Sequence, residues 1–165
     1  VSGDVTLTGA SYNAVWDKSD NALEFADNAK ATFGTGADLT IKHESNTSYA
    51  TNITGGFYIQ SNTLALRSVS QENYLVAAEN GAVELYHNNV KTFSTDPYGS
   101  VIYGPEGYGA HLYMYADEGD DNADKWALLA NAAGTFSIRN YSTGSWVDGL
   151  TLDGSNNATF AGNVA

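Results

Sequence analysis

The feature that most constrains this sequence is a period of two. "DLTIKH" sets Leu39 and Ile41 on one side of an extended chain, with Thr40 and Lys42 on the other. The same alternation pairs Phe57 with Ile59 in "GFYIQ", Leu64 with Leu66 in "TLALR" and Val83 with Leu85 in "AVELYH". It pairs Leu112 with Met114 in "HLYMY" and Phe136 with Ile138 in "TFSIR". Successive side chains of a strand point to opposite faces, so each stretch makes a ribbon with one apolar face. Gly, Asn, Asp or Ser bounds every one, at roughly 8–12-residue spacing, which predicts an all-β fold of repeated short antiparallel strands and hairpins. One stretch is ambiguous. "NADKWALLANAAG" fits three helical turns from an Asn122 cap to a Gly134 stop, or a strand with Trp126 and Leu128 alternating, and the strand is preferred. Trp126 is then expected to anchor that strand in the core.

With 17 glycines against 2 prolines, the reversals fall to Gly and Asn, which tolerate a left-handed backbone. The 165 residues suffice to bury a core. The formal net charge is -12, from 19 acidic and 7 basic residues, with no Lys/Arg cluster. Such a surface repels phosphate backbones and anionic membranes, so no nucleic-acid partner is expected. No apolar run approaches the length of a membrane span, so no membrane insertion is expected either. Cysteine is absent, which removes disulfides, thiolate metal sites and a cysteine nucleophile. The chain opens on Val1, as a fragment or a processed product would.

There is an internal repeat. "NALEFADNAKATF" (21–33) matches "GAVELYHNNVKTF" (81–93): Ala22-Leu23-Glu24-Phe25 aligns with Ala82-Val83-Glu84-Leu85, and Asn28 with Asn88. Lys30 aligns with Lys91 after a shift of one residue. Each copy is expected to be a hairpin, and repetition of such a unit suggests modular stacking. Residues 1–104 read as one repeated β-hairpin module and 105–165 as a second β module. "YGPEGYG" (103–109) forms a hinge or tight junction between them.

The stretch "DLTIKHESNTSYATN…GGFYIQSNTLALRS…ENYLVAAENGAVELYHNNVKTFSTDPYGSVIYG" resembles the repeat of tail fibres and related appendage proteins of marine bacteriophages, cyanophages in particular. "ADEGDDNADKWALLANAAGTFSIRNYSTGSWVDGLTLDGSNNATFAGNV" resembles a segment common near the C-termini of such fibres. The resemblance implies an elongated, intertwined homotrimeric β-fibre on the surface of a virion. It implies a structural protein without enzymatic activity that contacts other virion proteins and a glycan or protein receptor on the host surface.

The candidate sites are few. "ADEGDDNADKW" gathers Asp117, Glu118, Asp120, Asp121 and Asp124 within eight positions. The EF-hand pattern is absent, because Gly119 comes too early and no Glu occupies the twelfth position. A looser calcium site from Asp117, Asp120, Asp121 and Asp124 stands beside the plainer reading, an acidic turn. No cofactor other than such a calcium ion is expected. Asp120 with Asp124, or Glu118 with Asp121, could supply the carboxylate pair of a glycan-cleaving tailspike, the alternative activity. A standalone carbohydrate-binding β module is a further alternative. His43, His87 and His111 form no zinc motif. His43 and His87 end strands just before Asn-containing turns; in a trimer each could meet its symmetry mates, and a ring of three His could bind a transition metal, although a turn residue making one hydrogen bond is the simpler reading. Tyr103, Tyr108, Tyr113 and Tyr115 are candidates for receptor or sugar contact. Alternation puts Tyr113 and Tyr115 opposite Leu112 and Met114, so this tyrosine face could equally be a subunit contact.

Overall fold

The computed structural model describes residues 3–162, so the outermost ends of both expected modules lie outside it. The fold is all-β, with sixteen strands in four antiparallel sheets and no α-helix among the described residues. Each sheet is a meander in which every strand pairs only with its neighbours in sequence. Such pairing closes loops of a few residues and needs no crossover.

The chain divides into two units, 1–59 and 60–165. The first holds β1 (Val5–Leu7), β2 (Ala14–Asp17) and β3 (Ala22–Phe25) in one sheet, and β4 (Lys30–Phe33), β5 (Leu39–Glu44) and β6 (Thr47–Asn52) in another. The second holds two five-stranded sheets. One contains β7 (Thr63–Arg67), β8 (Asn73–Ala78), β9 (Val83–His87), β10 (Val90–Asp96) and β11 (Gly99–Ile102). The other contains β12 (Ala110–Tyr115), β13 (Lys125–Ala130), β14 (Phe136–Asn140), β15 (Val147–Leu152) and β16 (Ala158–Phe160).

The reversals follow the expected chemistry. Ser45 and Asn46, and again Asn88 and Asn89, hold left-handed φ angles in two-residue hairpin loops. That is the type I′ turn, whose twist matches that of the strands it joins. At the 103–109 junction the two backbones touch. A Cβ on Gly104 would lie 2.5 Å from the Gly109 carbonyl carbon. The segment joins the two sheets of the second unit, and the chain's units divide at 59/60.

Three expectations are corrected. Residues 125–130 of the ambiguous stretch are strand, but no strand forms at "GFYIQ". Phe57 and Ile59 stand exposed where the first unit ends, with no ladder partner. The 21–33 copy of the repeat is not a hairpin. β3 pairs with β2, β4 pairs with β5, and the two strands lie at the edges of different sheets. Finally, Trp126 anchors nothing within the chain, being 45% exposed.

The registers sort each sheet into two faces. In the β12–β16 sheet, Leu112 stands opposite Leu128, Leu128 opposite Ile138, and Ile138 opposite Leu150, which faces Phe160. Met114 with Trp126, and Phe136 with Leu152, extend the same apolar face. The β7–β11 sheet presents Leu66, Leu75, Leu85, Phe93 and Ile102 in the same way. In the first unit, Leu7, Ala14 and Phe25 line one face, and Phe33, Leu39 and Ile41 another. Large side chains on all four faces stay exposed, among them Leu7, Phe33, Leu66, Leu112 and Phe160. The only buried apolar residues among those described are Ala127 and Leu129, which lie on the opposite side of the last sheet.

The chain exposes 12202 Å². Two compact globules with the lengths of these units would together expose about 9,400 Å². The excess, on the order of 3,000 Å², is the size of an obligate interface.

Candidate functional site

The side chains that hold most of the chemistry lie on the face of the β12–β16 sheet opposite the apolar one. His111 stands opposite Leu129, and Tyr113 opposite Ala127, which in turn faces Arg139. His111 and Tyr113 stack with ring centroids 5.2 Å apart and planes 8° from parallel. The turn 141–144, closed by the Gly144 N–H donating to the Tyr141 carbonyl at 2.8 Å, brings Trp146 over this face. Trp146 meets Tyr113 at 5.4 Å and Tyr141 at 5.4 Å, and Tyr115 lies 6.0 Å from Tyr113. Lys125 sits 5.8 Å over the Tyr141 ring, and Arg139 Nε pairs with Asp148 at 2.6 Å. Five aromatic rings thus form a continuous patch, with charged groups beside it. Tyr and Trp offer flat faces and polar tips, the equipment for stacking on a sugar ring and bonding its hydroxyls.

Of the four expected tyrosines, only Tyr113 and Tyr115 join this patch. Tyr108 is exposed on the junction turn, its N–H donating to the Pro105 carbonyl. Tyr103 belongs to the β7–β11 sheet, where its hydroxyl and that of buried Ser94 share a 3.0 Å hydrogen bond. Its ring lies 4.8 Å beneath Lys91 Nζ, which gives it a structural place. Trp146 and Tyr141 were missed, and His111 had no place in the expected patch. The signal for the first two was "YSTGSW", two aromatics flanking a Gly turn between strands.

The Tyr103 neighbourhood is a charged cluster. Glu84 accepts from the Tyr86 hydroxyl at 2.6 Å and from Lys91 at 3.0 Å. Tyr86 first, and Lys91 second, hold the Glu84 carboxyl below its ordinary value. Donation to Glu84 raises Tyr86 and Lys91 above theirs.

The acidic stretch forms two short 3-10 turns, with Asp117 and Glu118 in left-handed backbone. Asp117, Asp120 and Asp124 bring carboxylate oxygens within 4.8 Å of one another, and Asp121 is not in the group. Its backbone N–H donates to Asp120 Oδ1 at 3.0 Å instead. A second such group, Asp17, Asp20 and Glu24, was not anticipated. There Asp17 accepts from the Ser19 hydroxyl at 2.7 Å and from the Ser19 and Asp20 N–H groups, which lowers its pKa. Three carboxylates are a hard-cation donor set, short of the six to eight oxygens calcium takes. The remainder would have to come from backbone carbonyls or water. His43 makes a 3.0 Å hydrogen bond with Ser48 across its hairpin.

No family model, curated protein or solved structure matches the chain. None of the described helical segments is long and apolar enough to cross a membrane.

Proposed function

We propose that this chain is a non-enzymatic structural component of a bacteriophage particle, a tail fibre or related appendage. In this reading three copies associate through their apolar sheet faces and present the His111–Tyr113–Trp146 patch outward to a host-surface receptor.

One observation carries the proposal. The buried residues of the last sheet, Ala127, Leu129 and Ser137, lie under the face that carries Tyr, His and Arg, while Leu112, Met114, Trp126, Phe136 and Phe160 on the apolar face stay exposed. A chain that folded alone would reverse this arrangement, because burial of apolar surface is the main drive of folding. The excess area is explained if the apolar faces meet between copies. Meanders in series suit a long particle, since each adds length without a new topology. Attachment then works by multivalency: weak contacts on each copy are multiplied by the number of copies. The resemblance of the two quoted segments to phage fibres supplies the virion setting and the number three.

Light scattering of the purified chain tests the association. The expected mass is three times the 17.5 kDa of one chain. A folded monomer would sink the proposal. A monomer that also released oligosaccharide from host-surface polysaccharide would move the reading to a glycan depolymerase.

A further inference from the structure

We propose that the free edge of β3 in one copy of the chain pairs with the free edge of β4 in a second copy. This rebuilds between chains the hairpin that β9 and β10 form within one. The inference rests on the self-association proposed above.

The repeat provides an internal control. In its second occurrence β9 and β10 pair directly across the Asn88–Asn89 turn, both residues left-handed. Glu84 on β9 then reaches Lys91 on β10, diagonally across the ladder, at 3.0 Å. In its first occurrence four residues, 26–29, separate the strands in place of two. Ala29 N–H donates to the Ala26 carbonyl at 2.9 Å, and of the turn residues only Asn28 is left-handed. Such a turn splays the strands it joins, whereas the type I′ turn follows their twist. So β3 and β4 part, each becoming the edge strand of a three-stranded sheet.

The strand code is nevertheless retained. β3 carries Leu23, Glu24 and Phe25 where β9 begins Val83, Glu84 and Leu85, and β4 carries Lys30, Thr32 and Phe33 for Lys91, Thr92 and Phe93. An edge presents a row of unpaired backbone groups, a template for another strand. Let β3 meet β4 of a second copy antiparallel, with Glu24 facing Thr32. Phe25 then faces Ala31, Leu23 faces Phe33, and the apolar faces of two three-stranded sheets become one. Glu24 lies diagonal to Lys30, as Glu84 lies diagonal to Lys91. The charges are complementary. Glu24 shares its surroundings with Asp17 and Asp20, and a lysine from another chain would relieve that crowding of like charge.

The chain has no cysteine, so introduced thiols are the only ones present. Phe25→Cys and Ala31→Cys variants are unfolded separately, mixed, refolded and oxidised. The mixture is expected to give a disulfide-linked band at two chain masses, and each variant alone a band at one. Because Phe25→Cys trims an apolar side chain, Glu24→Cys with Thr32→Cys serves as a second pair on the other face. Leu85→Cys/Phe93→Cys in one chain is the control that closes internally. An oligomer in which neither pair links between chains overturns the strand pairing alone. So does a Phe25→Cys/Ala31→Cys double variant that closes within its own chain. A monomer by light scattering overturns both the pairing and the self-association.

Discussion

Met114 and Trp126 stand directly opposite each other on β12 and β13, and both lie open, 46% and 45% exposed, on the same apolar face. A tryptophan on the apolar face of a sheet belongs in a core, and in this protein that core is expected to form between copies. Trp126→Ser should therefore act on association before it acts on the fold of one chain. Loss of the buried indole costs about 2 kcal/mol per copy. Dilution in light scattering should release smaller species from the variant at concentrations where the parent chain stays assembled.

The Glu84–Lys91–Tyr86 cluster should give stability a plateau with two shoulders. The Glu84 carboxyl is held below its ordinary 4.5, so its contribution is present above that value and is lost as pH falls. Tyr86 is raised above 10.0 and Lys91 above 10.5, so theirs is present below those values and is lost as pH rises. Thermal melting should be flat between about pH 5 and 9 and fall on both sides. Glu84→Gln should blunt both shoulders and lower the plateau.

The acidic turn gives a sign test for calcium. In chelator, Asp117, Asp120 and Asp124 repel one another, so Asp120→Asn should raise the melting temperature, by about 1–2 °C. With millimolar calcium, a bound ion would stabilise the parent chain above the variant. The same melt for both chains, with and without calcium, separates an acidic turn from a cation site.

Asn88 holds φ 51° in the type I′ turn between β9 and β10. Glycine there should keep or raise stability. Valine, whose branched side chain resists the left-handed region, should lower it by about 1–2 kcal/mol. Urea denaturation of Asn88→Gly and Asn88→Val measures the difference.

The proposed receptor contact at the aromatic patch predicts a localised loss. Trp146→Ala and Tyr113→Ala should weaken adsorption to host-surface polysaccharide in a pull-down while leaving the assembled mass unchanged. Tyr103→Phe, placed by Ser94 and Lys91 in the other sheet, should leave adsorption intact.

The sequence alone determined the all-β class and the two faces of each sheet. It also determined that Asn would supply the left-handed turns. All three follow from rules acting over two to four residues: side-chain alternation, and the backbone tolerance of Asn. "GFYIQ" shows where this stops, because alternation makes a strand only where a neighbouring edge offers hydrogen bonds. The repeat shows it again. Residues 21–33 and 81–93 carry nearly the same code, yet a four-residue connection in place of the two-residue type I′ turn leaves β3 and β4 in different sheets. The site divides in the same way. Asp117, Asp120 and Asp124 were legible as a cluster because they lie within one turn, and Tyr113 with Tyr115 because they share a strand face. Trp146 was not, since only the fold of the 141–146 loop over β12 and β13 brings it to Tyr113. Only tertiary structure decided which residues of the last sheet are buried, namely Ala127, Leu129 and Ser137 on the side opposite the apolar face. Hydropathy assigns the apolar face to a core, but whether one chain can reach that face depends on how its sheets turn, and here the loop closes over the other side.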